Sequence, residues 1–155
     1  MTQRRLADLE PPQLDQHFLI DNSVWQRQSQ PLVRQTMDRL LAHNSPWAIL
    51  TCPEVVAEVG FSARSGSDHD AVRQYLLEFP QCQEPASVEL VLEIQNALFN
   101  GGLFRAVGAL DTVIAAYAIA NDATVMHYDR DYEHVASVRP DFRQAWIAPH
   151  GALDR

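Results

Sequence analysis

Apolar positions along the chain fall into two patterns that take turns, short continuous runs and longer stretches at helical spacing. His17-Phe18-Leu19-Ile20 is a short apolar run that ends abruptly at Asp21-Asn22-Ser23, which predicts a buried strand followed by a turn. From Pro31 to His43, Val33, Met37, Leu40 and Leu41 recur on one helical face, with Pro31 suited to the first turn. Trp47 to Thr51 predicts a second strand. Thr51-Cys52-Pro53-Glu54 then reads as a capping box, with Thr51 at the N-cap and Glu54 at N3. It opens a helix through about Arg64 whose inner side is Val55, Val56, Val59 and Phe61. Ser65-Gly66-Ser67 breaks that pattern, and Asp68 is expected to cap a further helix that carries Val72, Tyr75, Leu76 and Phe79 until Pro80 stops it. Gln81 to Glu84 has room for a short strand. Ser87 to Leu98 is helical by spacing and ends at Asn100-Gly101-Gly102. Asp111 to Asn121 predicts a helix whose many alanines permit close packing. Thr124 to His127 and Gln144 to Ile147 supply the last two strands.

Strands alternating with helices argue for an α/β domain with a parallel sheet. The first sixteen residues are polar and contain Pro11 and Pro12, so they read as an N-terminal extension, leaving 17–155 as a single domain. A length of 155 residues agrees with one core and one site.

Composition narrows the chemistry. The longest apolar runs, such as Val113 to Ala120, fall well short of the roughly 20 residues a membrane span needs. Met1 to Glu10 lacks the apolar core of a secretory signal. A cytoplasmic protein without membrane attachment is expected. Cys52 and Cys82 are too few for a disulfide framework and too far apart for a zinc motif, and the six histidines form no His-x-x-x-His pair. All twelve basic residues are arginine, which removes mechanisms that need a lysine amine, including the phosphoryl contact of a receiver domain. The net charge of -8 opposes a nucleic-acid partner unless several acids share one pocket with bound cations.

The acids are placed to do that. In open parallel sheets, ligands bind beyond the carboxyl ends of the strands, where strand order reverses. Asp21 and Asp129 both follow predicted strands, and Asp111 lies in the first turn of a predicted helix. Each also has a plain structural reading as a turn former or cap. Glu54 and Glu58 share one helix face. Glu58 is the stronger candidate, because it lies within the apolar stretch Val55-Val56-Ala57-Glu58-Val59-Gly60, where a carboxylate needs a partner or a cation. Such carboxylates brought together take up protons unless a cation neutralises them, and hard oxygen donors select Mg2+ or Mn2+. Phosphodiester hydrolysis is a natural chemistry for that arrangement. Ser23 is a candidate supporting residue through its hydroxyl, or else a helix cap. Arg64, Arg105 and Arg130 are candidate phosphate contacts or surface arginines. Trp25 is either a platform for a base or a buried neighbour of the first strand.

Four stretches together resemble the PIN-domain ribonucleases, especially the VapC-type toxins of bacterial toxin–antitoxin pairs. They are Leu19-Ile20-Asp21-Asn22-Ser23-Val24-Trp25, Val56-Ala57-Glu58-Val59-Gly60, Leu110-Asp111-Thr112-Val113-Ile114-Ala115-Ala116 and His127-Tyr128-Asp129-Arg130-Asp131-Tyr132. The likeness runs from about His17 to Pro149. It implies that Asp21, Glu58, Asp111 and Asp129 are the catalytic, metal-binding acids, with Asp131 a fifth near the metal. It further implies a three-layer α/β sandwich, a homodimer, magnesium-dependent cleavage of RNA and a VapB-type antitoxin whose tail occludes the site. His127 departs from the family pattern, where a small hydroxyl residue often stands. Two alternatives stay open: a PIN-fold module that binds RNA or protein without turnover, and a housekeeping RNA-processing nuclease. An aspartate-nucleophile phosphatase fits poorly, because Asp21 is followed by Asn22-Ser23 rather than by the second Asp of an Asp-x-Asp motif.

Overall fold

The computed structural model describes residues 17–153. The expected extension over 1–16 therefore lies outside the described residues. Four strands form one parallel sheet: β1 (His17–Ile20), β2 (Ala48–Leu50), β3 (Ala123–His127) and β4 (Arg143–Trp146), in the order β2-β1-β3-β4. Seven helices surround it: α1 (Asn22–Trp25), α2 (Pro31–Leu41), α3 (Pro53–Phe61), α4 (Gly66–Leu76), α5 (Val88–Asn100), α6 (Ala109–Ala120) and α7 (Asp131–Val138). The chain runs from β1 outward to β2, then returns across the sheet to β3 on the other side of β1. Right-handed crossovers therefore put α2 on one face and α6 and α7 on the other, the expected three layers. The reversal also makes the gap between β1 and β3 the switch point of the sheet.

Burial explains why the continuous runs became strands. Phe18, Leu19 and Ile20 in β1, and Val125, Met126 and His127 in β3, are all buried, as a sheet covered on both faces requires. Ile20 pairs with Met126, and the ladder extends one residue further through Asp21 N–H to the Met126 carbonyl at 2.9 Å. In α6 the buried residues are Thr112, Ile114, Ala115, Ala116 and Ala118, so mostly small side chains meet its neighbours.

Several local expectations are corrected. The capping box at Thr51 does not form: the N-cap of α3 is Cys52, no side chain caps it, and Pro53 occupies the first turn. Thr51 is held in extended pairing instead, receiving a backbone bond from Cys82 and donating one to Pro80, around a single parallel bridge to Gln81. That bridge is all that forms of the expected strand at Gln81 to Glu84. The chain does break between two helices, but α3 already ends at Phe61 rather than near Arg64, and Ser65-Gly66-Ser67 starts the next helix. The Ser65 hydroxyl accepts from Asp68 N–H as the cap of α4, while the Asp68 carboxylate accepts from Arg64 N–H. Helix α2 stops at Leu41 and α4 at Leu76, short of the ends expected at His43 and Phe79. Helices α1 and α7 are additional to the sequence reading.

Candidate metal centre

The loops leaving β1 and β3 bring Asp21 and Asp129 to the switch point, and α3, α6 and α7 deliver Glu58, Asp111 and Asp131 to the same place. One carboxylate oxygen each from Asp21, Glu58 and Asp111 lies within 4.8 Å of the others, and the same holds for Asp111, Asp129 and Asp131. Asp111 belongs to both groups.

Each acid is held by a local device. Asp21 is 3% exposed and caps α1, its Oδ2 accepting from Ser23 N–H at 2.9 Å. Its Oδ1 accepts from the Tyr132 hydroxyl at 2.7 Å. The same hydroxyl lies 3.3 Å from Asp111 Oδ1. Burial, joined by the nearby Asp21 and Asp111, raises the Tyr132 phenol well above its ordinary value, so it remains a proton donor. Asp129 Oδ1 accepts from Asp131 N–H at 3.0 Å, and Asp131 Oδ2 accepts from Gly108 N–H at 3.3 Å, which ties the start of α7 to the start of α6.

His127 orders the exit from β3. Its Nδ1 accepts from Asp129 N–H at 3.1 Å, so the proton of the neutral ring sits on Nε2, 2.6 Å from Gln144 Oε1. Burial lowers its proton affinity, against the opposing pull of Gln144 and nearby acids. It is fully buried between Tyr132 and Trp146, and so packs rather than meeting a phosphate.

The acids raise one another's proton affinity. Asp111 is pushed up to about 7, first by burial and then by Asp21, Asp129, Asp131 and Glu58. Glu58 is raised by burial, then by Asp21 and Asp129, and Asp131 by burial and Asp129. Among the described residues, no arginine forms an ion pair with any of the five. The donors are all carboxylate oxygens, without imidazole or thiolate, a set that suits a hard divalent ion such as Mg2+ or Mn2+.

The remaining candidates separate clearly. The Ser23 hydroxyl accepts from Tyr128 N–H at 2.9 Å, tying α1 to the loop after β3. Trp25 is buried, its Nε1 donating to the Ile20 carbonyl, so it is part of the core and no platform for a base. Arg64, Arg105 and Arg130 are exposed. Sequence reasoning missed Tyr132 as a partner of the acids. Its place three residues after Asp129 would have indicated it only if α7 had been recognised as a helix turning back toward the centre.

The PIN domain family matches residues 20–138, a span that contains all five acids. The chain is 34% identical over 135 residues to Ribonuclease VapC21 of Mycobacterium tuberculosis, covering 85% of this chain and 95% of that one. It is 32% identical over 139 residues to Ribonuclease VapC18 of the same organism, covering 88% and 98%. The fold is similar to VapBC2 from Rickettsia felis bound to a DNA fragment from their promoter, with a TM-score of 0.63 at 18% identity over 84% of this chain and 98% of that one. It is also similar to VapBC-5 of Mycobacterium tuberculosis, a member of the VapBC family of toxin–antitoxin systems. There the TM-score is 0.60 at 17% identity, over 84% and 98%. With the parallel sheet, the order of the acidic motifs and a family match over most of its length in agreement, this chain belongs to the PIN-domain family.

Proposed function

We propose that the protein is a metal-dependent endoribonuclease that hydrolyses RNA phosphodiester bonds, and that it is the toxin of a VapBC-type toxin–antitoxin pair. The observation that carries the reading is the meeting of five carboxylates at the switch point, with Asp111, Glu58 and Asp131 all raised in proton affinity and no arginine paired to them. The ribonuclease names of relatives at 34% and 32% identity support it.

In this reading Asp21, Glu58, Asp111 and Asp129 hold Mg2+ or Mn2+, with Asp131 as a further ligand and Ser23 in support. A bound ion of this kind supplies an acidified water and a positive charge for phosphate oxygens. The chain's own part is to keep the oxygens converged. Tyr132 fixes the rotamer of Asp21 and the Asp131 N–H that of Asp129, and Asp111 would have to be deprotonated to serve as a ligand. The neutral His127 holds the Asp129 backbone in place without adding positive charge.

A cognate VapB-type antitoxin and a homodimer complete the proposal. The toxin–antitoxin name of a solved protein with the same fold supports the first. For the second, the outward side of α5 leaves Val88, Leu92 and Phe99 exposed, an apolar stripe that a second copy would cover. No helix among the described residues is long and apolar enough to cross a membrane. Action on RNA in the cytoplasm is part of the proposal.

The test is incubation of partner-free protein with total, transfer and ribosomal RNA in Mg2+, Mn2+ or EDTA, beside Asp21→Asn. Discrete cleavage that needs metal and vanishes in the variant is expected. Equal cutting by the variant removes these acids from the mechanism. Folded protein that binds RNA but cuts none of these substrates in either metal favours a non-catalytic module.

A further inference from the structure

An acidic protein that works on a polyanion needs positive charge at its site that is not already spent. Arg139 is spent on Glu93 and Asp141, and Arg143 on Asp122. Arg27 differs from both. Its Nη1 donates to the Ser23 carbonyl at 2.8 Å, and its guanidinium carbon lies 4.9 Å from the centroid of the Tyr128 ring. Both contacts belong to the frame of the acid centre. Ser23 N–H bonds Asp21 Oδ2, the Ser23 hydroxyl receives Tyr128 N–H, and Tyr128 immediately precedes Asp129. Arg27 thus bridges the exits of β1 and β3, the two strands that present the first and last acids.

Three features separate it from an ordinary surface arginine. It is only partly exposed. Its orientation is fixed twice, by a hydrogen bond and by stacking on an aromatic face, so little side-chain entropy remains to be lost when it meets a ligand. It has no ion pair among the described residues, and the one bond it makes uses a single N–H of a group that carries several. The N–H groups that Ser23 does not take are of the kind that pairs with phosphate oxygens.

We infer that Arg27, held by the Ser23 carbonyl and the Tyr128 ring, is an RNA-binding residue that grips a phosphodiester next to the scissile one. This rests on the ribonuclease reading above. Arg27 brings to the rim the positive charge that the acid cluster lacks, and its attachment to both strand exits keeps the RNA backbone in register with the acids.

The experiment uses the full chain, an oligoribonucleotide bearing a site that the wild-type protein cuts, Mg2+, and a series of KCl concentrations. Wild type, Arg27→Gln and Arg27→Lys are compared, each with its melting temperature as a check on folding. Arg27→Gln keeps a donor and much of the side-chain length but loses the charge. It is expected to raise KM about tenfold at low salt, the size of one charge-assisted hydrogen bond, with kcat changed far less. Its plot of log kcat/KM against log salt is expected to be shallower by about 0.7, the contribution of one single-strand phosphate contact. Arg27→Lys is expected to restore the slope and part of the KM. A purely structural Arg27 would leave the slope unchanged, and an unchanged slope in a folded Arg27→Gln protein overturns the inference while the ribonuclease reading stands. If wild type cuts no RNA in any divalent metal, the ribonuclease reading falls first and the role of Arg27 falls with it.

Discussion

Asp21 and Asp129 stand at the ends of adjacent parallel strands and are gripped by their surroundings, Asp21 by Ser23 N–H and the Tyr132 hydroxyl, Asp129 by Asp131 N–H. Glu58 reaches the same cluster from α3, a helix whose only buried residue is Val55 and which leaves Val56 and Phe61 facing solvent, Phe61 at 92% exposure. Among the described residues, no hydrogen bond holds the Glu58 carboxylate. One side of the centre is therefore preformed by hydrogen bonds, and the other is contributed by a lightly packed helix. Substitutions on the strand side should affect both stability and chemistry, and substitutions on the α3 side chemistry alone.

Four measurements break or sharpen that contrast. Asp21→Asn is expected to cost the most activity, more than the roughly hundredfold that outer-sphere partners typically carry, as read from initial cleavage rates in Mg2+. Tyr132→Phe should follow with a loss of about 10–100-fold in metal affinity or rate. It should also lower unfolding stability in EDTA by about 1–3 kcal/mol, because Asp21 Oδ1 is left buried without its donor. Urea unfolding checks this, and an unchanged midpoint would mean the strand side is not preformed as described. Glu58→Gln should reduce cleavage while leaving stability in EDTA within about 0.5 kcal/mol of wild type, as expected of a partly exposed site without bonds to lose. A loss as large as that of Tyr132→Phe would erase the difference between the two sides.

The smallest effect is on pH dependence. The folded protein holds Asp111 up to about 7, whereas the unfolded chain releases that proton near the ordinary carboxylate value. The native state thus binds more protons across that interval. In EDTA the contribution of Asp111 to stability is full below the interval and is lost as pH rises toward 7. Glu58 and Asp131 act in the same direction. Melting temperatures in EDTA should fall over this range, and saturating Mg2+ should flatten the decline. A rise with pH in EDTA would contradict the upward shifts.

What was readable in the sequence follows from range. Asp21 and Asp129 were legible because a buried strand is a continuous apolar run and its end is abrupt. Asp111 was legible as a first-turn acid ahead of an alanine-rich helix, and Glu58 as a charge within an apolar stretch. Tyr132 was not, because α7 is only eight residues long with two buried side chains, Tyr132 and Val135, too few to show a period. The Thr51 cap failed for a non-local reason. Pairing with the segment at Pro80 to Cys82, nearly thirty residues away, kept Thr51 extended and moved the helix start to Cys52. Arg27 drew no notice because its partner Tyr128 lies a hundred residues further along the chain.

Helix α6 sets the height of Asp111 above the sheet, and it does so by lacking bulk. Ala115, Ala116 and Ala118 are fully buried, so the helix rests close to its neighbours. Exchanging one of these methyl groups for a larger side chain would act as a shim, lifting or tilting the helix and displacing at its end the one carboxylate common to both groups of acids. The tolerance of the centre is thus fixed more than a turn away, by residues that carry no charge and touch no ion.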